Sequence, residues 1–327
     1  MNITKIKIEN FKSIKSLEIN EPNPFSVFVG SNAAGKSNIF EALEFMSLCT
    51  SRDNPVSLFE GVSQVSNFNS NSDDFYFQLG DYKNYIFIDS KYSKDKFNII
   101  TEGVNTKTIT EDLNTKTDYV QFIKNFSRLF IGFEKYVKEP INDDSKLRLD
   151  GDNLEQVLYR LLNDENLNEE FKEWLSLFIP DFKDIEVIID SLTNKKNLHF
   201  FEEYYNAPFS TSLVSDGTRN ILILLSALYQ SKEPQFLCIE EPENGLNPYI
   251  IRELVKMFRK FCKEKKFYIW LTTHSQTLVS ELKPIELILV NKKNGLTEIK
   301  YARDLNIEGI RMDEAWLSNI YGAGVPW

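Results

Sequence analysis

Residues 30–37 read GSNAAGKS and fit the pattern G-x-x-x-x-G-K-[ST]. Small residues in such a loop let consecutive backbone N–H groups turn inward onto phosphate oxygens. The lysine adds a point charge at the β- and γ-phosphates, and the following hydroxyl is a ligand for Mg²⁺. Gly30, Ser31, Asn32, Ala33, Ala34, Gly35, Lys36 and Ser37 are therefore expected to bind ATP, with Ser37 also on the metal. A plain glycine-rich turn before a helix would leave Lys36 unexplained.

Three further constellations could complete such a site. In FLCIEEPENGLNP (residues 236–248) an apolar run ends in two carboxylates. The first, Glu240, suits the Mg²⁺ ion, and the second, Glu241, suits the attacking water. An acidic loop capping a helix is the plainer alternative, because Asn247 and Pro248 make a good N-cap and N1 pair. In LVSDGTRN (213–220), Ser215 or Asp216 can cap the apolar helix that follows, and Gly217 permits close backbone approach. An ordinary capped helix explains this too. A Ser-x-Gly helix start is also an anion site, and its place about 25 residues before the acid pair suggests a signature that completes a second subunit's ATP site. Finally, His274 in LTTHS ends an apolar strand and suits a γ-phosphate sensor. The other histidine, His199, has no such context.

These groups need a strand–loop–helix frame. FSVFV (25–29) is a buried-type strand, and Ile39, Phe40, Leu43 and Met46 recur at helical spacing after the loop. Earlier strands are expected near the N-terminus and at 16–20. A polar stretch, 61–74, reads as a mobile loop, and 75–79 with 85–89 as a hairpin turned near Gly80-Asp81. Residues 101–118 carry little periodic signal. From about 119 to 189 the pattern is mostly helical. The clearest helix starts at an Asn153/Gln156 capping box and carries Leu154, Val157, Leu158, Leu161 and Leu162 on one face. Strand 236–239, helix 248–263 and strand 267–271 follow. Two last strands, 287–291 and 297–301, flank an Asn294-Gly295 turn. The expected fold is α/β: a P-loop NTPase of ABC-ATPase type with a mixed sheet. It forms a single domain, 1–327, with an N-lobe 1–100, a helical insertion at about 110–200 and a C-lobe 205–327.

Of the 327 residues, 42% are hydrophobic and 26% charged, enough to bury a core. No apolar run could span a bilayer, and the N-terminus alternates like a strand rather than a signal peptide, so a cytoplasmic location is expected. Cys49, Cys238 and Cys262 are widely spaced and suit buried thiols. The net charge of −10 argues against gripping DNA with the whole surface.

Taken in order, IENFKSIKSLEI, the P-loop with Asn32, LRLDGDNLEQVLYRL, VSDGTRNILILLSAL, IEEPENGLNP and TTHS resemble the ABC-type AAA-family ATPases of the RecF, SMC and OLD group. More closely, they look like compact bacterial ATPases of the OLD-like kind. The resemblance implies a homodimer in which two heads sandwich two ATPs, with Ser215, Asp216 and Gly217 binding ATP in trans and Asn247 as a D-loop position at the dimer seam. Departures are Ala33 and Ala34 where relatives have glycine, and Glu240 in place of the usual Asp. The Q-loop glutamine has only Gln64 and Gln78 as candidates. The Toprim nuclease domain of OLD proteins finds no room in this length. Asp304, Asp313 and Glu314 read as solvated loop charges.

The resulting expectation is a dimeric, Mg²⁺-dependent ATPase that powers or gates a separately encoded effector, such as a nuclease, in DNA repair or anti-phage (antiviral) defence. A stand-alone RecF-like DNA-binding protein is the alternative, so DNA remains a candidate partner. Nothing reads as a coupling surface for membrane helices.

Overall fold

The computed structural model describes residues 3–49, 55–59, 61–67, 75–80, 85–93, 96–100, 124–131, 145–305 and 309–318. In chain order the elements begin with β1 (Lys5–Phe11), β2 (Ile14–Asn20), β3 (Phe25–Val29), α1 (Lys36–Cys49) and the single turn α2 (Val62–Val65). Next come β4 (Phe75–Gly80), β5 (Tyr85–Ser93), β6 (Lys96–Ile100), β7 (Phe126–Phe130), α3 (Leu154–Leu162) and α4 (Glu165–Phe178). They are followed by β8 (Phe182–Ile189), β9 (Lys196–Glu202), β10 (Phe209–Ser210), α5 (Asp216–Tyr229), β11 (Phe236–Glu240) and α6 (Pro248–Glu264). The last are β12 (Tyr268–Thr272), α7 (Gln276–Ser280), β13 (Leu287–Lys293), β14 (Leu296–Tyr301) and α8 (Met312–Leu317).

The central six-stranded sheet has the order β14-β13-β3-β12-β11-β7, parallel except for the terminal β13–β14 hairpin. Its inner strands are buried on both faces, which is why they read as continuous apolar runs. Alternation still sorts their side chains. Val27, Leu237, Ile239, Ile269 and Leu271 face the core formed with α3 to α6. Phe28, Cys238 and Trp270 face the second core, formed with α1 and the antiparallel sheet β2-β1-β4-β5-β6. Phe11, Phe45, Phe75 and Phe77 meet edge-on or tilted in that second core, at centroid distances of 5.6–6.3 Å. Each such pair is worth about 0.5–1.5 kcal/mol beyond area burial. Helix α1 is thus wedged between two sheets, and the loop that begins it has little freedom to move.

Several expectations change. The helical reading of 119–189 departs at β7, which is the edge strand of the central sheet beside β11, and at β8, which joins β9 and β10 in a three-stranded sheet. The capping box does not form: Asn153 stands at the N-cap, but its Oδ1 accepts from Arg148 N at 2.9 Å and its Nδ2 donates to Lys146 O at 2.9 Å. The stretch read as a mobile loop is partly clasped. Val65 O accepts from Lys12 N at 2.8 Å, and buried Asn67 donates to Lys12 O at 2.7 Å. Residues 68–74 and 101–118 lie outside the described residues.

The Asn294-Gly295 turn is present, with both residues at positive φ (51° and 81°) as a tight hairpin demands. Cys238 and Cys262 are buried, and burial pushes both thiols up, Cys262 to about 12. The side chain of Cys49 is outside the described residues. Asp313 is not a solvated charge: it is buried in α8, where Arg311 Nη2 pairs with it at 3.0 Å and Gln276 donates to it at 3.2 Å. Asp304 and Glu314 do remain exposed. Among the described residues, no helix is long and apolar enough to cross a membrane.

Candidate active site at the ends of the parallel strands

Strand β3 ends where the phosphate loop begins. Gly30 and Gly35 are required there by close approach. A Cβ on Gly30 would lie 2.1 Å from Val290 O, and one on Gly35, at φ +102°, would lie 2.0 Å from Thr297 Oγ1. Ala33 adopts φ +60°, where a Cβ costs about 1–2 kcal/mol. The outer side of the loop is braced by a chain of hydroxyls. Thr297 Oγ1 donates to Ala34 O at 3.1 Å and lies 2.6 Å from Ser13 Oγ, which accepts from Asn38 Nδ2 at 2.6 Å. Beside it opens a cavity of about 250 Å³, lined by Lys12, Asn38, Gln64, Asn67 and Lys292.

Lys36, at the first position of α1, is 7% exposed. Its Nζ donates to Gly30 O at 2.9 Å and Ser31 O at 3.2 Å, and lies 3.0 Å from His274 Nε2. Burial lowers the Lys36 pKa, against the opposing charges of Glu241, Glu240 and Glu243. Burial and then the Lys36 charge lower that of His274. A neutral imidazole accepting at Nε2 carries its proton on Nδ1, so the ring and the ammonium share one hydrogen bond rather than repel.

The two carboxylates at the end of β11 differ sharply. Glu240 is 2% exposed. Its Oε1 accepts from Arg128 Nε at 2.8 Å and Nη2 at 2.5 Å, and its Oε2 accepts from Ser37 Oγ. Arg128 also reaches Glu44 Oε2 at 2.8 Å and Glu41 Oε1 at 3.4 Å. Burial works to lower its pKa, and Glu44, Glu240 and Glu41 together overcome this and raise it. Glu241 turns away at φ +50°, a left-handed conformation that is costly for a non-glycine residue and recurs at functional sites. Its Oε1 lies 3.6 Å from His274 Nε2. Burial first, and then the neighbouring Glu243, push its carboxyl up to about 8.

The structure therefore brings Lys36, Ser37, Glu240, Glu241 and His274 together. Ser215, Asp216, Gly217 and Asn247 lie on separate helix starts. Ser215 caps α5 by accepting from Thr218 N at 3.1 Å, and Asn247 caps α6 by accepting from Ile250 N at 3.0 Å. Of the Q-loop candidates, Gln78 sits in β4 opposite Lys7, and Gln64 lines the cavity outside the loop. His199 is in β9, 3.8 Å from Glu186. Arg128 and Glu243 were not singled out by sequence. Arg128 gave one signal, a lone cation inside the apolar run FSRLF; Glu243 gave none beyond its place in the acidic turn.

Ser37 Oγ and Glu240 Oε2, hard oxygen donors in mutual contact at the loop, fit a Mg²⁺ ion that takes its remaining ligands from water and phosphate. Among the described residues no group of three His, Cys, Asp or Glu side chains forms a separate metal cage.

A family model described as "AAA domain, putative AbiEii toxin, Type IV TA system" (AAA_21) matches residues 25–280, the span holding every residue of this site. The chain is similar to an ATP/GTP phosphatase of Helicobacter pylori, 23% identical over 332 residues, covering 86% of this chain and 87% of that protein. A local likeness, 36% identical over 56 residues, links it to the DNA replication and repair protein RecF of Bacteroides fragilis, covering 17% of this chain and 15% of that one. The SMC head domain from Thermotoga maritima shares the fold at a TM-score of 0.56 and 15% identity, over 94% of this chain and 100% of that one. The chain belongs to the AAA_21 family and is a P-loop ATPase with the ABC-type α/β fold of the RecF and SMC group.

Proposed function

We propose that two copies of this chain close on two ATP molecules, hydrolyse them with Mg²⁺, and by that cycle gate a separately encoded effector, a nuclease, in DNA repair or anti-phage defence, as an OLD-like ATPase. The observation that carries the hydrolytic part is the convergence of Lys36, His274 and Glu241 at the mouth of the phosphate loop. Residues Gly30–Ser37 hold the phosphates. Ser37 and Glu240 hold Mg²⁺, which supplies charge neutralisation on the phosphate oxygens. Glu241 accepts the proton of the attacking water, and its raised pKa makes it a stronger base once ionised. Lys36 turns from the imidazole to the terminal phosphate, and His274, released from it, takes the Nε2–H tautomer and donates to the same oxygens.

The second copy is supported by what surrounds the remaining site residues. Ser215 and Asp216 are exposed, and the hydrogen bonds of Ser215 stay within its own turn. Leu213, 70% exposed, and Tyr249, 57% exposed, flank Ser215 and Asn247 with apolar surface suited to a seam. On this reading Ser215, Asp216 and Gly217 face the ATP of the partner copy.

The test mixes purified chain with the product of the adjacent gene, with and without ATP. ATP-dependent association that switches a nuclease activity is the expected result. Association independent of ATP contradicts it. Binding of DNA by the chain alone, with a steep loss on raising salt, favours the RecF-like alternative.

A further inference from the structure

Glu243 lies in the tight turn after β11, two residues past Glu241 and directly after Pro242, whose ring fixes its own φ. Its Oε1 accepts three bonds from the loop that follows β12: Thr273 Oγ1 at 2.5 Å, His274 N at 3.0 Å and Ser275 N at 3.1 Å. Its Oε2 is buried and receives none of them. Ser275 in turn caps α7 by accepting from Leu278 N at 3.2 Å. Two backbone N–H groups and a fully buried hydroxyl are thus gathered on one carboxylate oxygen, where charge-assisted bonds are about twice as strong as neutral ones. The two strand ends are also tied directly, Glu241 N donating to Thr272 O at 3.0 Å. Ser275 N also donates to Thr273 Oγ1 at 2.9 Å, so Glu243, the Thr273 hydroxyl and the two N–H groups form one network.

We propose that Glu243 is a positioning residue that fixes the loop carrying His274 in register with Lys36 and Glu241. This rests on the reading that His274 and Glu241 act on the terminal phosphate. The imidazole meets Lys36 at 3.0 Å and Glu241 at 3.6 Å, so a shift of about 1 Å takes it out of bonding range, a displacement that costs on the order of 10²-fold in rate. Removing the carboxylate takes the acceptor from His274 N and from the Thr273 hydroxyl and leaves Ser275 N with Thr273 Oγ1 alone, so the loop must find new acceptors by moving.

The experiment compares Glu243→Ala, Glu243→Gln and His274→Ala. The readouts are ATP affinity, single-turnover hydrolysis and the imidazole NMR signals of the chain's 2 histidines. Glu243→Ala should slow hydrolysis about 10²-fold with ATP affinity changed less than about threefold, and should shift the His274 resonance while that of His199 stays. Glu243→Gln keeps a carbonyl oxygen in place and should recover about tenfold or more of the lost rate. Wild-type turnover in Glu243→Ala, an unmoved His274 signal, or glutamine no better than alanine overturns the proposal. If the alanine variant does not fold, Thr273→Val, which removes one of the three donors, should shift the same resonance, and its failure to do so is equally contrary. Wild-type hydrolysis in His274→Ala breaks the underlying reading of the site, and the His274 resonance then decides the role of Glu243 by itself.

Discussion

Arg128 Nη2 lies 2.5 Å from Glu240 Oε1, and Nε of the same guanidinium lies 2.8 Å from that oxygen. An edge strand thereby holds the carboxylate whose other oxygen meets Ser37. Deleting one partner of a fully buried pair leaves an uncompensated charge, at a cost of about 3–5 kcal/mol. Arg128→Met should therefore lower the unfolding free energy by about that amount in chemical denaturation. Arg128→Lys, which keeps the charge and loses the fork, should fall between the two.

Lys36 offers the clearest separation of binding from chemistry. A charge-assisted hydrogen bond is worth about 1.5–3 kcal/mol, so Lys36→Ala should weaken ATP binding about 10- to 100-fold. Fluorescence titration with a labelled ATP analogue reads this directly.

Glu241 should set a pH dependence of stability. Its folded pKa, about 8, stands above the ordinary value of 4.5, so the folded chain keeps a proton that the unfolded chain releases. The resulting cost is absent below about pH 4.5, grows as pH rises, and is complete above about pH 8. Glu241→Gln should then match the wild-type Tm near pH 4.5 and exceed it at pH 8.5, in the absence of nucleotide. Equal Tm differences at both pH values would contradict the burial argument.

Gly217 packs its α-carbon so tightly that an added Cβ would stand 2.6 Å from the backbone oxygen of Gly245. Asn220 fixes the same contact by donating to Asn244 O at 2.8 Å. Gly217→Ala must separate the start of α5 from the turn after β11. The expected outcome is intact ATP binding by the monomer with loss of ATP-dependent dimers, measured by light scattering.

What could be read from the sequence was what short-range chemistry decides. The phosphate loop, the strand ending in Glu240, and the caps at Ser215 and Asn247 each depend on neighbours within a few residues, and each is present. What could not be read depends on distant partners. Arg128 in FSRLF looks like an interruption of an apolar stretch until β7 is laid beside β11 and three carboxylates surround it. Asp313 looked solvated because Gln276, one of its partners, is 37 residues away. Asn153 carried the right residue type for a cap and spends its side chain on the preceding loop instead.

The central claim is that Glu241 activates water in a site that a second copy completes. Purified Glu241→Gln, incubated with ATP and Mg²⁺, tests both halves in one sample by light scattering and phosphate release. The account predicts wild-type ATP affinity, hydrolysis slowed about 10²- to 10⁴-fold, and a stable dimer that appears only with ATP. Phosphate release at the wild-type rate, or a monomer that stays a monomer with ATP bound, would contradict it.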